Sequence, residues 1–128
     1  MNKEVNFEQP VLTIEVINDF IIDAIQDIKG KNIVKLDLRK IEDAPADFFI
    51  ICEGDSTTQV KAISDNVHQR LKRELEVFPN HIEGEKAAQW ICLDYFFTVV
   101  HVFHREAREF YELEQLWGDA ISTTYETL

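Results

Sequence analysis

Two carboxylates flank a glycine at Glu53-Gly54-Asp55, and Ser56 follows at the start of a helix-like stretch. On a small sheet such a turn brings nucleotidyl transfer to mind, which needs carboxylates holding two metal ions about 4 Å apart. No third carboxylate has an evident place beside this pair, and no basic phosphate clamp is visible. A solvated turn in which Asp55 or Ser56 caps the helix is the preferred reading. His101 and His104 stand three apart at the end of a strand-like run, where odd and even positions face opposite ways. Zinc would need two more ligands. Cys52 and Cys92 lie in separate apolar runs without Cys-x-x-Cys spacing, so they read as two buried free thiols of a reducing compartment, and His101 as a buried, hydrogen-bonded histidine. Neither a Ser-His-Asp or Cys-His spacing nor a Gly-rich phosphate loop stands out. The expectation is a chain that is not an enzyme, with no catalytic residues, no metal and no cofactor.

Binding chemistry is better represented. Between Trp90 and Ala120, Trp90, Tyr95, Tyr111 and Trp117 crowd beside Arg105 and Arg108. Trp, Tyr and Arg are the residue types that dominate protein–protein hot spots. Within the same stretch Phe110, Leu113 and Leu116, with Ala107 and Trp117 beside them, form an apolar stripe, and Arg105/Glu109 and Arg108/Glu112 are spaced as i,i+4 ion pairs. A surface helix held to a sheet accounts for the stripe and leaves the aromatic and arginine excess to a partner.

The elements that must carry these residues follow from periodicity. Ile14, Ile17, Phe20, Ile21, Ala24, Ile25 and Ile28 have helical spacing, with Pro10 suited to a first turn and Gly30 to the position past the end, giving a helix over about 11–29. Residues 33–38 alternate as a strand, 39–46 read as a loop, and 48–52 are continuously apolar, as in a strand covered on both faces. Ser56 and Gln59 make a capping box for a second helix ending near Glu76. Residues 79–83 read as a short edge strand, because Pro79 is tolerated there. Residues 90–93 and 97–103 form a hairpin with a turn at Asp94–Tyr95, and a third helix runs over about 105–116 to Gly118. The fold class is α+β: a mixed sheet of about five strands with helices packed against it. Residues 1–9 are expected to be flexible, 10–120 one domain, and 121–128 a flexible tail.

Length and composition agree with one globular domain: 128 residues, 45% hydrophobic and 29% charged. No apolar run approaches the ~18 residues of a membrane span, and the first ten residues do not read as a secretory signal. A soluble cytoplasmic protein is expected. The net charge of −11 repels phosphate backbones, so direct nucleic-acid binding is disfavoured while a basic protein partner is not.

Four segments carry a family resemblance: LDL at 36–38, DFFIICEGDSTTQVKAI at 47–63, the stretch from Ile82 to Trp90, and that from Leu93 to Ala120 with its HVF and REAREFYELEQLW patterns. On these the chain resembles the ribosomal silencing factor family, also called Iojap or RsfS, over some nine tenths of its length. The resemblance implies a nucleotidyltransferase-like fold without the catalytic site. It also implies a function by occlusion. Members bind the large ribosomal subunit through the ribosomal protein numbered fourteen, block joining of the small subunit and lower translation when nutrients are scarce. Some are homodimers when free. Carried onto this chain, it puts Trp90, Asp94, Tyr95, His101, Arg105, Arg108, Tyr111 and Trp117 at or beside the partner surface. The family often has Gly near position 96, where this chain has Phe96, which bears on the hairpin turn. The alternative from another class is a residual nucleotide-binding module of nucleotidyltransferase type.

Overall fold

The computed structural model describes residues 12–111 and 117–128, with side chains up to 108 and from 117 onward. Helix α1 spans Ile14–Asp27 and is opened by Thr13, whose hydroxyl accepts from the Val16 N–H at 3.1 Å. At its end Lys29, not Gly30, takes the left-handed conformation (φ 61°). Gly30 serves another need: a Cβ there would lie 2.3 Å from Ile25 Cγ2.

Strands β1 (Lys31–Asp37) and β2 (Phe48–Gly54) pair antiparallel, with an irregularity between Lys31 and Val34 where Asn32 sits at φ 49°. Asn tolerates that region better than most residues. Helix α2 (Thr57–Arg70) runs into a π-helical turn, Leu71–Leu75. Half of the expected capping box is present: Ser56 Oγ accepts from the Gln59 N–H at 3.1 Å. The Gln59 side chain instead accepts from the Asp55 N–H at 2.8 Å and donates to the Ile28 and Lys29 carbonyls, tying α2 to the end of α1.

The remaining elements are β3 (His81–Glu83), β4 (Trp90–Asp94), β5 (Thr98–His104), α3 (described over Arg105–Tyr111) and β6 (Ile121–Tyr125). The sheet order is β3-β4-β5-β2-β1-β6, antiparallel throughout except for the β2–β5 pair. The expected mixed α+β sheet is therefore observed, with six strands. The extra strand corrects the reading of 121–128 as a flexible tail. Ile121–Tyr125 pairs along β1, from Asp37↔Ile121 to Ile33↔Tyr125, and Thr127 Oγ1 donates to the Gly30 carbonyl at 3.0 Å. The segment lacks apolar alternation because it is an edge held by backbone hydrogen bonds. Residues 1–9, expected to be flexible, lie outside the described residues.

The sheet has two unlike faces. On one, α1 and α2 bury Ile33, Ile50, Cys52, Ile91, Leu93, Val100 and Val102 against Ile21, Ile25, Ile63 and Val67. On the other, a smaller core of Leu36, Leu38, Phe49, Ile51 and Phe103 is partly covered by Ile41, Ala44, Ala46, Ala107, Trp117 and Ala120. β2 is buried on both faces, as its continuous apolar run requires. No helix among the described residues is long and apolar enough to cross a membrane.

Candidate functional site: an aromatic face bordering open sheet

Along β4, Trp90, Cys92 and Asp94 point away from α1 and α2, while Ile91 and Leu93 point toward them. Cross-strand pairing extends this face: Trp90 opposes Phe103, Cys92 opposes His101 and Glu83, and Asp94 opposes Val99 and His81. Cover from the smaller core reaches Trp90 and Val99 at this side of the sheet. Beyond them Cys92 and Asp94 are half-exposed, and His81 and Glu83 are exposed.

The border is built from rings. Trp90 stacks on Phe103 (centroids 5.0 Å apart, planes at 23°), and its indole Nε1–H donates to His101 Nδ1 at 3.0 Å. His101 meets Phe49 edge-on at 4.5 Å, and Phe49 meets Trp117 edge-on at 6.1 Å. With Nδ1 accepting, the imidazole proton is assigned to Nε2, which has no partner among the described residues. Burial lowers the His101 pKa from 6.5 to about 4, so the ring is neutral at physiological pH. The Cys92 Sγ lies 3.4 Å from the same Nδ1. Its thiol is pushed up to about 11, first by burial and then by Glu83 and Asp94, so it is not a thiolate nucleophile. Half-exposed Cys92 corrects the expectation of two buried thiols; Cys52 is buried. The arrangement offers shape, apolar area and fixed polar groups rather than an activated reagent.

The residues of the suspected catalytic turn are engaged within the fold. Glu53 accepts from Arg108 at 3.1 Å. Asp55 is paired with Lys31 at 2.7 Å and lies 3.8 Å from Arg105. The Lys31 hydrogen bond holds the Asp55 carboxyl below its usual range.

The family model described as "Ribosomal silencing factor during starvation" matches residues 13–128 of this chain. The chain belongs to the ribosomal silencing factor family. A relative from Halalkalibacterium halodurans, named ribosomal silencing factor RsfS, is 39% identical over 99 residues, covering 77% of this chain and 83% of the relative. A crystal structure from Chromobacterium violaceum is 37% identical with a TM-score of 0.79, covering 84% of this chain and 88% of that one. A Mus musculus relative, named for mitochondrial assembly of the ribosomal large subunit, is 36% identical over 74 residues, covering 56% of this chain and 32% of the relative.

In this silencing-factor chain the residues singled out from the sequence separate into groups. Trp90, His101 and Trp117 share the aromatic cluster. Asp94 is on the same face at the far end of β4, where its Oδ1 accepts from the Phe96 N–H at 2.8 Å. Tyr95 turns to the opposite face and is buried in the larger core, where burial raises its hydroxyl pKa. Arg105 is exposed beside Asp55, while Arg108 is 8% exposed and donates to the Asn32 carbonyl at 2.6 Å as well as to Glu53. The side chain of Tyr111 lies outside the described residues, as do those of Glu109, Phe110, Glu112, Leu113 and Leu116. The sequence reading did not single out His81 or Glu83, and took Cys92 for a buried thiol rather than part of this face. Their signal is the strand period of two, which puts them on the Trp90 side.

Proposed function

We propose that this chain binds the large ribosomal subunit through the Trp90 face and, once bound, excludes the small subunit. The supporting observation is the indole of Trp90, fixed by His101 and Phe103 at the border of sheet that the described residues leave uncovered, where a partner can complete the cover. The family supports the ribosome as target, and the name of the mouse relative supports its large subunit. The partner we favour is the ribosomal protein numbered fourteen, at the face that meets the small subunit. Under nutrient limitation the outcome is lowered translation.

The mechanism needs geometry and mass action rather than bond making. A standard interface buries about 1,600 Å² in total, and a 15.0 kDa domain seated there occupies space that a joining subunit needs. Subunit joining then falls with the fraction of large subunits occupied. A net charge of −11 disfavours exposed ribosomal RNA and favours encounter with a basic protein, mainly by raising the on-rate. Pelleting with purified particles tests the reading: the chain travels with isolated large subunits and not with assembled ribosomes. Equal recovery with both would defeat it.

A further inference from the structure

We propose that Phe96 is a second anchor of this chain on its partner, projected from the β4–β5 turn into an apolar pocket with a basic rim on a protein surface. The inference rests on the large-subunit reading above and adds a contact to it.

Two independent features single out this residue. The residue is 77% exposed, the most exposed of the large apolar residues in the described part of the chain. Its backbone stands at φ 80°, a region that is unfavourable for any residue bearing a Cβ and most unfavourable for a bulky one. A single exposed Phe needs no explanation. An exposed Phe held in a left-handed backbone does, because neither packing nor local conformation favours it, and such outliers point toward function.

The turn around it is fixed from several sides. The Tyr95 N–H donates to the Thr98 carbonyl at 2.9 Å, and the Phe97 N–H to the Tyr95 carbonyl at 3.0 Å. Asp94 Oδ1 holds the Phe96 N–H, and the Phe97 carbonyl accepts from both Asp47 and Phe48 at 2.9 and 3.0 Å. Tyr95 on one side is buried in the larger core, and Phe97 on the other packs against it. Phe96 is therefore carried on a rigid mount, and docking it costs little ordering entropy.

Charge and distance identify the partner. Two acidic residues adjoin the turn, Asp94 through its bond to the Phe96 N–H and Asp47 through its own N–H on the Phe97 carbonyl, while Arg39, which lies over Phe48, is paired with Asp37. That rim fits a cationic protein surface and opposes a phosphate backbone. Trp90 and Asp94 are four residues apart on β4, or roughly 13 Å at strand rise. A partner patch of about 800 Å², roughly 30 Å across, spans both the Trp90 border and the turn.

The test compares Phe96→Gly, Phe96→Asn, Phe96→Tyr and Trp90→Ala, measuring Tm and affinity for purified large subunits. Gly and Asn both accept the left-handed backbone, so their Tm equals or exceeds that of the unmodified chain. Their affinity falls about tenfold or more, the scale expected for losing one buried phenyl group, while Tyr retains it. A lowered Tm for both Gly and Asn would show that the ring packs within its own chain and overturn the proposal. Unchanged affinity in Gly and Asn, with loss in Trp90→Ala, would remove Phe96 and leave the large-subunit reading standing. Unchanged affinity in all four would remove Phe96 and the Trp90 face alike, and no affinity of the unmodified chain for large subunits would remove the large-subunit reading itself.

Discussion

The Trp90 indole N–H donates to the imidazole Nδ1 of His101 at 3.0 Å, diagonally across the β4–β5 pair and two residues out of direct opposition. This bond makes the orientation of a half-exposed tryptophan depend on the protonation of a buried histidine. Only a neutral imidazole has a lone pair to accept it. His101 is 5% exposed and titrates near about 4 in the folded chain, against 6.5 unperturbed.

The pH dependence follows from that depression. Between those two values the unfolded chain binds more protons at this site than the folded chain, so unfolding free energy falls as pH falls through 6.5 toward 4. The largest contribution from one such group is roughly 3 kcal/mol. Urea unfolding at pH 7 and pH 5 is expected to show the part of this loss that falls between those values, roughly 2 kcal/mol, and His101→Gln to flatten it, although Gln lowers stability at neutral pH. Asp37, Asp55 and Glu74 are held below their usual range by Arg39, Lys31 and Arg70 respectively, so their losses come at lower pH. An unchanged slope in His101→Gln would assign the effect to other groups.

Arg108 supports the fold from the same side of the sheet. Replacing it by Met leaves the half-buried Glu53 carboxylate and the Asn32 carbonyl without their donor. Breaking a buried pair in this way costs about 3 kcal/mol. Chemical denaturation of Arg108→Met should show a loss of that order, partly recovered in the double variant with Glu53→Gln. A loss under about 0.5 kcal/mol, the range of a surface substitution, would contradict the buried-pair assignment.

Gly84 controls where Trp90 begins its strand. It stands at φ 88°, and a Cβ there would lie 2.0 Å from the Trp90 carbonyl oxygen, a backbone atom that cannot rotate away. Gly84→Ala is expected to cost about 2 kcal/mol or more. It should also move the Trp90 carbonyl and shift the tryptophan emission spectrum. A variant with the parent's Tm and spectrum would show that the loop relaxes freely.

Much of this architecture was legible in the residues, and the failures have physical reasons. Helical spacing located α1 and α2, and the apolar runs located β2 and the β4–β5 hairpin. Strand alternation also contains the answer for Tyr95. With Ile91 and Leu93 it occupies the odd positions and turns to the helical face, away from Trp90 and Asp94. β6 escaped notice because ISTTY carries no apolar period; its place is set by backbone pairing to β1, which leaves no side-chain pattern. The arginines of α3 also meet Asp55 and Glu53, which are distant in sequence and so invisible to helical spacing, while the expected partners Glu109 and Glu112 lie outside the residues whose side chains are described. The site was legible in its aromatic members and illegible in its boundary, because openness depends on what covers a face and not on the face itself.

The central claim is that the Trp90 face seats on the large subunit and keeps the small subunit away. The most direct test mixes purified subunits with increasing amounts of the chain and follows formation of joined ribosomes by light scattering. Joining should fall in proportion to large-subunit occupancy, and Trp90→Ala, folded by circular dichroism, should need at least about tenfold more protein for the same effect. Joining that is indifferent to an excess of the unmodified chain, or equal inhibition by Trp90→Ala, would contradict the account.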